Sequence, residues 1–425
     1  MPRCVFVLAS LVWPGWLLAA TFNASPGSNL QSLLNGMSAG DELVLSAGTY
    51  NTSNLNISGK NGTSTSWFTV RAATGATVIL NNTGGNNMFN VAGSKFWRFQ
   101  KLEIKGGASG EDGIKWTGTC TDMLVEDCYI HNIGGVAINC SSITRMDRLT
   151  VRHCHIHNTG GTGEGMYLGK NGGGGPVLSS IIENNWVHDT GGSQGDGIEF
   201  NEGCLGNVVR DNVVYNTAYP CIFIENTAAG SANIVERNAC WNCTTDSVCQ
   251  VNGNAIVRNN LFFNGSYAAL NMQSGAGIEV YNNVFYDTAR AVRFPPVSIK
   301  FCNNIVDGTS ENAPSGTVSN NYWKSTSYGS NPITAAPGYF PASMDFYPRH
   351  AAYKNAAWNG DSDVPTGDFN TLARTTPYDV GAYEITTATN SGWQVQANFK
   401  VNSPSNTPPM LTSAPWATPN PMKLR

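Results

Sequence analysis

The chain has 425 residues, 25 basic against 29 acidic, for a formal net charge of −4. So mild a balance lacks the basic footprint that nucleic acid needs, and any attraction to a polyanionic polysaccharide must be local. Beyond residue 20 no stretch is long and apolar enough to cross a bilayer, which argues against a membrane-embedded protein.

The chain opens with Met1-Pro-Arg, an apolar run from Cys4 to Leu18, then Ala19-Ala20. A basic start, a short apolar core and small closing residues describe a cleavable secretory signal over residues 1–20, hence a secreted, extracellular protein. Pro14 and Gly15 interrupt the run, which is short for a membrane anchor. Cleavage removes Cys4 and leaves ten cysteines, an even set that permits disulfides without giving their pairing. Cys240-Trp-Asn-Cys243 has no second such pair, which argues against zinc. N-glycosylation sequons at Asn23, Asn51, Asn56, Asn61, Asn81, Asn139, Asn242 and Asn264 suit an extracellular glycoprotein.

Leu30–Tyr50 reads as an amphipathic helix, a Gly-Asp turn and a strand, and Phe68–Leu80 and Phe96–Ile104 read as further strands. Then one phrase recurs eight times: apolar, polar, polar, Asn or Cys, any residue, apolar, ring or polar, Asn or Asp. Its fourth residue falls at Cys128, Cys154, Asn185, Asn212, Asn238, Asn260, Asn283 and Asn304, at spacings of 26, 31, 27, 26, 22, 23 and 21 residues. Short strands at such a period are the mark of a solenoid in which each repeat is one coil. The helix at Leu30 then covers an open end that would otherwise expose apolar interior and unpaired strand edges.

A second strand precedes each phrase, and alternation turns Ile114, Ile138, Met166, Ile198, Ile222, Leu270 and Val292 inward. Stacked coils place like residues ~4.8 Å apart, so the Asn column forms an amide ladder that avoids unpaired buried polar groups. Cys128 and Cys154, equivalent in adjacent coils, are either bonded or stacked as thiols. Glu126, Arg152, Glu183, Arg210, Glu236 and Arg258 alternate in sign up the stack, which supports the register and makes the arginines structural. His131, His157, His188, Tyr215, Trp241, Phe263 and Tyr286 form a column of rings. It reads as a packed ladder, with a sugar platform or a metal site at the three histidines as rivals.

The solenoid domain spans residues 21–325, and beyond Trp323 the period is lost. Residues 326–385 should close the far end as an irregular cap, and the Ser, Thr, Pro and Asn of residues 386–425 should form a disordered tail.

The stretch NLQSLLNGMSAGDELVLSAGTY resembles the opening of secreted right-handed parallel β-helix proteins of the pectate-lyase-like superfamily. DFNTLARTTPYDVGAYE is similar to their closing signature, and GEGMYLG followed by GDGIEFNEG to a strand pair found in many members. The resemblance covers roughly Asn29 to Glu384 and implies an all-β fold: a single-stranded right-handed parallel β-helix with an N-terminal capping helix. It implies carbohydrate chemistry of several kinds, since the superfamily holds lyases, hydrolases, esterases and epimerases. The motif sets of its polygalacturonase-like glycosidases, main pectate lyases, alginate lyases and bacterial alginate epimerases are absent, so no catalytic set transfers residue by residue.

The longest interval, Cys154 to Asn185, holds GTGEGMYLGKNGGGGP, and the next coil holds GGSQGDGIEFNEG. Polar residues off a rigid sheet beside an enlarged Gly-rich loop suit a polysaccharide groove. Lys115, Asn139, Tyr167, Glu199 and Arg293 lie in its outward column, with Asn201, Glu225 and Asn252 one step on and Glu202 beside them. Glu164 and Asp196 occupy equivalent places in adjacent coils, in register with Asp112. Carboxylates ~5 Å apart resist joint ionisation, so they bridge Ca2+, share a raised pKa or bond into a turn.

These residues suit β-elimination on a uronate-containing polysaccharide, with Lys170 or Tyr167 as base, Lys115 orienting substrate and Glu164 and Asp196 holding Ca2+. Asn139, Asn201, Glu225 and Arg293 would bind the sugar. A glycoside hydrolase would use two carboxylates among Glu199, Glu202, Glu164 and Asp196. A uronate C5-epimerase and a non-catalytic wall protein are further alternatives. A monomer acting on a polysaccharide is the expected assembly.

Overall fold

The computed structural model describes residues 19–225, 229–273 and 275–401. Most of the expected signal and the chain from Asn402 onward lie outside the described residues. The 33 strands of the described residues join one hydrogen-bonded network whose coil-to-coil pairings are parallel. A central coil contributes three strands, Ile198–Phe200, Val208–Arg210 and Val213–Thr217. The next repeats them as Ile222–Ile224, Asn233–Glu236 and Ala239–Cys243. The solenoid therefore has three faces, called here the groove face, the charge face and the ring face. Inward residues of all three fill one apolar core.

The Asn-rich phrase has a conformational cause. Between the charge and ring faces the chain turns through one left-handed residue per coil. The series is Asp127, His153, Asn184, Asp211, Arg237, Asn259, Asn282, Asn303 and Asn320, with φ from 52° to 64°. Asn and Asp tolerate that region best among residues with a Cβ. The next residue then points inward, where its amide would be costly if unpaired. It is paired throughout: Asn185, Asn212, Asn238, Asn260, Asn283 and Asn304 each donate to the next at 3.0–3.1 Å, and Asn321, the last, donates to the Phe301 carbonyl. The ladder thus runs one coil past the last repeat read from the sequence.

The Glu/Arg column resolves into three ion pairs, Glu126–Arg152 at 2.5 Å, Glu183–Arg210 at 2.6 Å and Glu236–Arg258 at 2.9 Å. The ring column stacks from His131 to Phe263 at centroid separations of 4.6–5.4 Å. Its Tyr215, Trp241 and Phe263 are buried with Phe346, Tyr383 and Trp393 from the C-terminal region, so that part is packing rather than a sugar platform. The helix spans Leu30–Gly36, is capped by Asn29, and buries Leu30 and Leu34 in the core.

Three expectations are corrected. All ten described cysteines are buried free thiols. Parallel strands aim equivalent Cβ atoms the same way, whereas a disulfide needs them to converge; Cys128 and Cys154 instead donate to Phe99 and Val125 carbonyls. Second, the region after Trp323 is not confined to the solenoid's end: Tyr328 packs on Trp323 and bridges at Ser330 and Ile333 extend the stack, while later residues bond along the flank. Third, residues 386–401 are not a loose tail. Trp393 and Val395 are buried, and Phe399 meets Trp186 edge-on. These few apolar side chains, spaced through a polar background, cover part of the ring face. Lys400 is wholly buried, its ammonium donating to Asp211, the Arg237 carbonyl and the Phe369 carbonyl.

Candidate active site on the groove face

The outward column of the groove face is in the expected register through every coil: Lys115, Asn139, Tyr167, Glu199, Phe223, Gln250, Asn271 and Arg293 pair in turn. Three residues earlier the chain carries a second column, in which backbone bonds align Val136, Glu164, Asp196 and Pro220. Two residues later lie Asn201, Glu225 and Asn252.

Glu164, Asp196 and Glu199 converge, one carboxylate oxygen of each lying within 4.8 Å of the others. They are 0 %, 4 % and 3 % exposed, a degree of burial that ordinarily demands partners. Yet both oxygens of Glu164, one of Asp196 and one of Glu199 have no hydrogen-bond partner among the described residues. Neighbouring Asn201, Glu225 and Asn252 also hold buried unpartnered atoms. Such a concentration of orphaned carboxylate oxygens on one wall, in a fold whose inward Asn ladder is paired, is the mark of a site built for something external.

The electrostatics follow. Burial, then the charges of Asp196, Glu164 and Glu225, push the Glu199 carboxyl up to about 9. Burial and Glu164 raise Asp196 well above the usual carboxylate range, and burial raises Glu164. Burial, then Glu202, raises Glu225. Burial and the same carboxylates raise the Tyr167 phenol, so its hydroxyl keeps its proton and suits a donor better than the base assigned from sequence.

The remaining sequence candidates divide. Lys115 is 3.0 Å from Asp112, which also accepts from Asn139 at 2.9 Å. Both are thereby tied into a neutral structural network two to three coils from Glu199. Asn139, which also begins a sequon, is buried. Arg293 bonds Glu311 and Asn271, four coils from Glu199. Lys170 is exposed on the enlarged loop, which closes as a tight hairpin through Lys170 N–H to the Gly175 carbonyl at 2.9 Å. Gly169, at φ 103°, starts that hairpin where a Cβ would lie 2.7 Å from Cys204 Sγ. Glu202 borders the loop at Gly173.

An all-oxygen, carboxylate-rich donor set fits a hard cation such as Ca2+. Glu164, Asp196 and Glu199 would hold it. The sequence had proposed the first two as ligands and had given Glu199 a catalytic place on the same groove. The ring-face histidines are not among the described groups of three potential ligands; the second such group, Glu279, Asp361 and Asp363, has Lys300 bonded to Glu279 and Asp361.

A family model described as the right handed beta helix region matches residues 48–239. A crystal structure of pectate lyase Pel9A aligns with a TM-score of 0.51 at 12 % identity, over 87 % of this chain and 97 % of that one. In fold, this chain is a right-handed parallel β-helix, similar to that pectate lyase structure. A complex of XylC with xylose aligns with a TM-score of 0.58 at 10 % identity, covering 87 % of this β-helix and 99 % of that chain. An alginate lyase from Paenibacillus sp. str. FPU-7 aligns at 0.51 and 18 % identity, over 71 % and 97 % of the two chains. At such identities the likeness is one of fold. No curated protein sequence matches this β-helix.

Proposed function

We propose that this β-helix is a secreted carbohydrate-active enzyme that cleaves a uronic-acid-containing polysaccharide by β-elimination on its groove face. The observation that carries this reading is the convergence of Glu164, Asp196 and Glu199, whose buried oxygens are left without donors. Three such carboxylates need a cation or protons, and a cation beside them suits an anionic sugar. Ca2+ bound there would neutralise the uronate carboxyl and so acidify the proton α to it.

The chain's own groups supply the rest. Lys170, exposed on its short hairpin, would take that proton, and Tyr167, which holds its own proton, would give one to the departing sugar oxygen. Asn201, Glu225 and Asn252 offer unpaired polar atoms one residue column away and would orient sugar hydroxyls. The pectate and alginate lyases of similar fold are consistent with this reading.

A second reading has its own support: a Glu199 carboxyl pushed up to about 9 stays protonated at neutral pH and could act as the general acid of a glycoside hydrolase. Incubating the protein with pectate, alginate and neutral glycans, with Ca2+ or with EDTA, separates the two. Ca2+-dependent ultraviolet absorbance of an unsaturated uronate product is the expected result. New reducing ends without that absorbance, unaffected by EDTA, would establish the hydrolase in its place.

A further inference from the structure

Four coils beyond Glu199, the groove face changes sign. Arg290 occupies the column of Glu164 and Asp196, because the Ala269 N–H bonds its carbonyl as Gly165 N–H bonds that of Asp196. Arg293 occupies the column of Glu199. Both arginines share one carboxylate: Arg290 lies 2.6 Å and Arg293 3.0 Å from Glu311. The Arg290 guanidinium also sits 4.2 Å from the Tyr267 ring centre, which holds it flat against the surface. Two guanidinia thus share one ion-paired carboxylate, while Asp287, the other acid beside Arg290, is 3 % exposed and burial pushes its carboxyl up. The side chains are 26 % and 29 % exposed, so some of the five N–H donors on each guanidinium can meet a ligand.

Between the two ends the columns carry uncharged side chains at Phe223, Gln250 and Asn271. Four strand spacings put the arginines ~19 Å from the carboxylate cluster, a span that a polysaccharide covers with several sugar units. Arg is the side chain best suited to planar, bidentate recognition of a carboxylate.

We infer that Arg290 and Arg293 form a distal subsite that binds a carboxylate of an acidic glycan lying along the groove. The subsite rests on the proposed uronate substrate and deepens it: it makes the enzyme selective for long acidic chains over short ones. Glu311 orients the two guanidinia, and the ligand's carboxylate neutralises the charge that Glu311 leaves.

Calorimetric binding of oligogalacturonates and oligomannuronates, as disaccharide and octasaccharide in constant Ca2+, tests this. A carboxyl-reduced octasaccharide serves as the neutral control. At least one uronate octasaccharide should bind more tightly than its disaccharide and its reduced form. Replacing both arginines (Arg290→Gln with Arg293→Gln) should weaken octasaccharide binding about tenfold, leave the disaccharide unchanged, and show steeper losses in low salt. Arg290→Gln alone, which keeps Arg293 on Glu311, should give part of the loss and covers the case in which the double variant fails to fold. Octasaccharide affinity that ignores these substitutions, equal binding of the reduced polymer, or no binding of either uronate series would overturn the subsite. Arginine-dependent binding without unsaturated product would retain the subsite and discard the lyase; cleavage with arginine-independent affinity would do the reverse.

Discussion

Asp196 and Glu199 are three residues apart in sequence yet present carboxylate oxygens to the same point, with Glu164 from the coil before. Burial and mutual repulsion raise both, so each holds its proton in the folded chain at pH values where the unfolded chain has lost it. For Glu199 the window runs from 4.5, its ordinary value, to about 9. Stability from this pair is therefore fully present below the window and is lost as pH rises through it. Metal-free protein should melt at progressively lower temperature from mild acid to pH 9. Glu199→Gln should flatten that slope, and a variant with an unchanged slope would show that the site does not hold protons.

Cation binding should act on the same groups with the opposite pH dependence. Ca2+ in hundredfold excess over its Kd stabilises by about 2.7 kcal/mol, and the rise in melting temperature should be larger at neutral than at acid pH. Glu164→Gln with Asp196→Asn should abolish the Ca2+-dependent shift and any EDTA-sensitive activity together. Loss of activity with the Ca2+ shift intact would separate the two roles.

Lys400 and Asp211 form a pair in which the ammonium is wholly buried and Asp211 also binds Arg237. Asp211→Asn keeps a residue that tolerates the left-handed turn, but it leaves buried Lys400 without a carboxylate and Arg237 with Glu236 alone. Removing one partner of a buried pair costs about 3–5 kcal/mol, so chemical denaturation should show a loss of that order. A change under 1 kcal/mol would mean that the carbonyls around Lys400 suffice.

The amide ladder predicts position-dependent costs. Asn238→Ala leaves the Asn212 amide without its acceptor and interrupts the middle of the run, whereas Asn321 terminates it. Each orphaned buried group costs about 1–3 kcal/mol, so the central substitution should cost clearly more than Asn321→Ala in denaturant titrations.

Thiol counting provides a chemical check on the core. A reagent that labels free cysteine should find ten thiols after unfolding of the chain without its first twenty residues, and almost none in the native state. Bridges seen by non-reducing mass spectrometry would contradict the stacked-thiol core.

What the sequence disclosed is what repeats once per coil. The Asn ladder, the Glu/Arg alternation and the outward column from Lys115 to Arg293 each place one residue type at a fixed period, so register could be read without coordinates. Alternation failed where the strand gives way to a turn. Asp196 sits in a Gly-Asp-Gly turn just before its strand, and strand parity would have placed it opposite Glu199. Arg290 was missed for the same reason, although it lies two residues before Val292, as Asp196 lies two before Ile198. Lys115 and Asn139 were legible as outward-facing but not as partners of Asp112, since that contact crosses a turn. Composition alone misjudged residues 386–401, where Trp393, Val395 and Phe399 provide enough apolar surface to dock.

The flank has a further consequence. Six consecutive left-handed residues, from Asp211 to Asn320, are engaged by the returning C-terminal segment. Lys400 meets Asp211 and the Arg237 carbonyl, while Asn259, Asn282, Asn303 and Asn320 donate to the carbonyls of Gly367, Asp379, Trp358 and Ala356. A bare solenoid is a linear array that can fray from its ends, because each coil knows only its neighbours. A splint fastened to six successive coils couples rungs that never touch, so the C-terminal half should melt in a single concerted step. Those are the coils that carry the groove from Glu199 to Arg293.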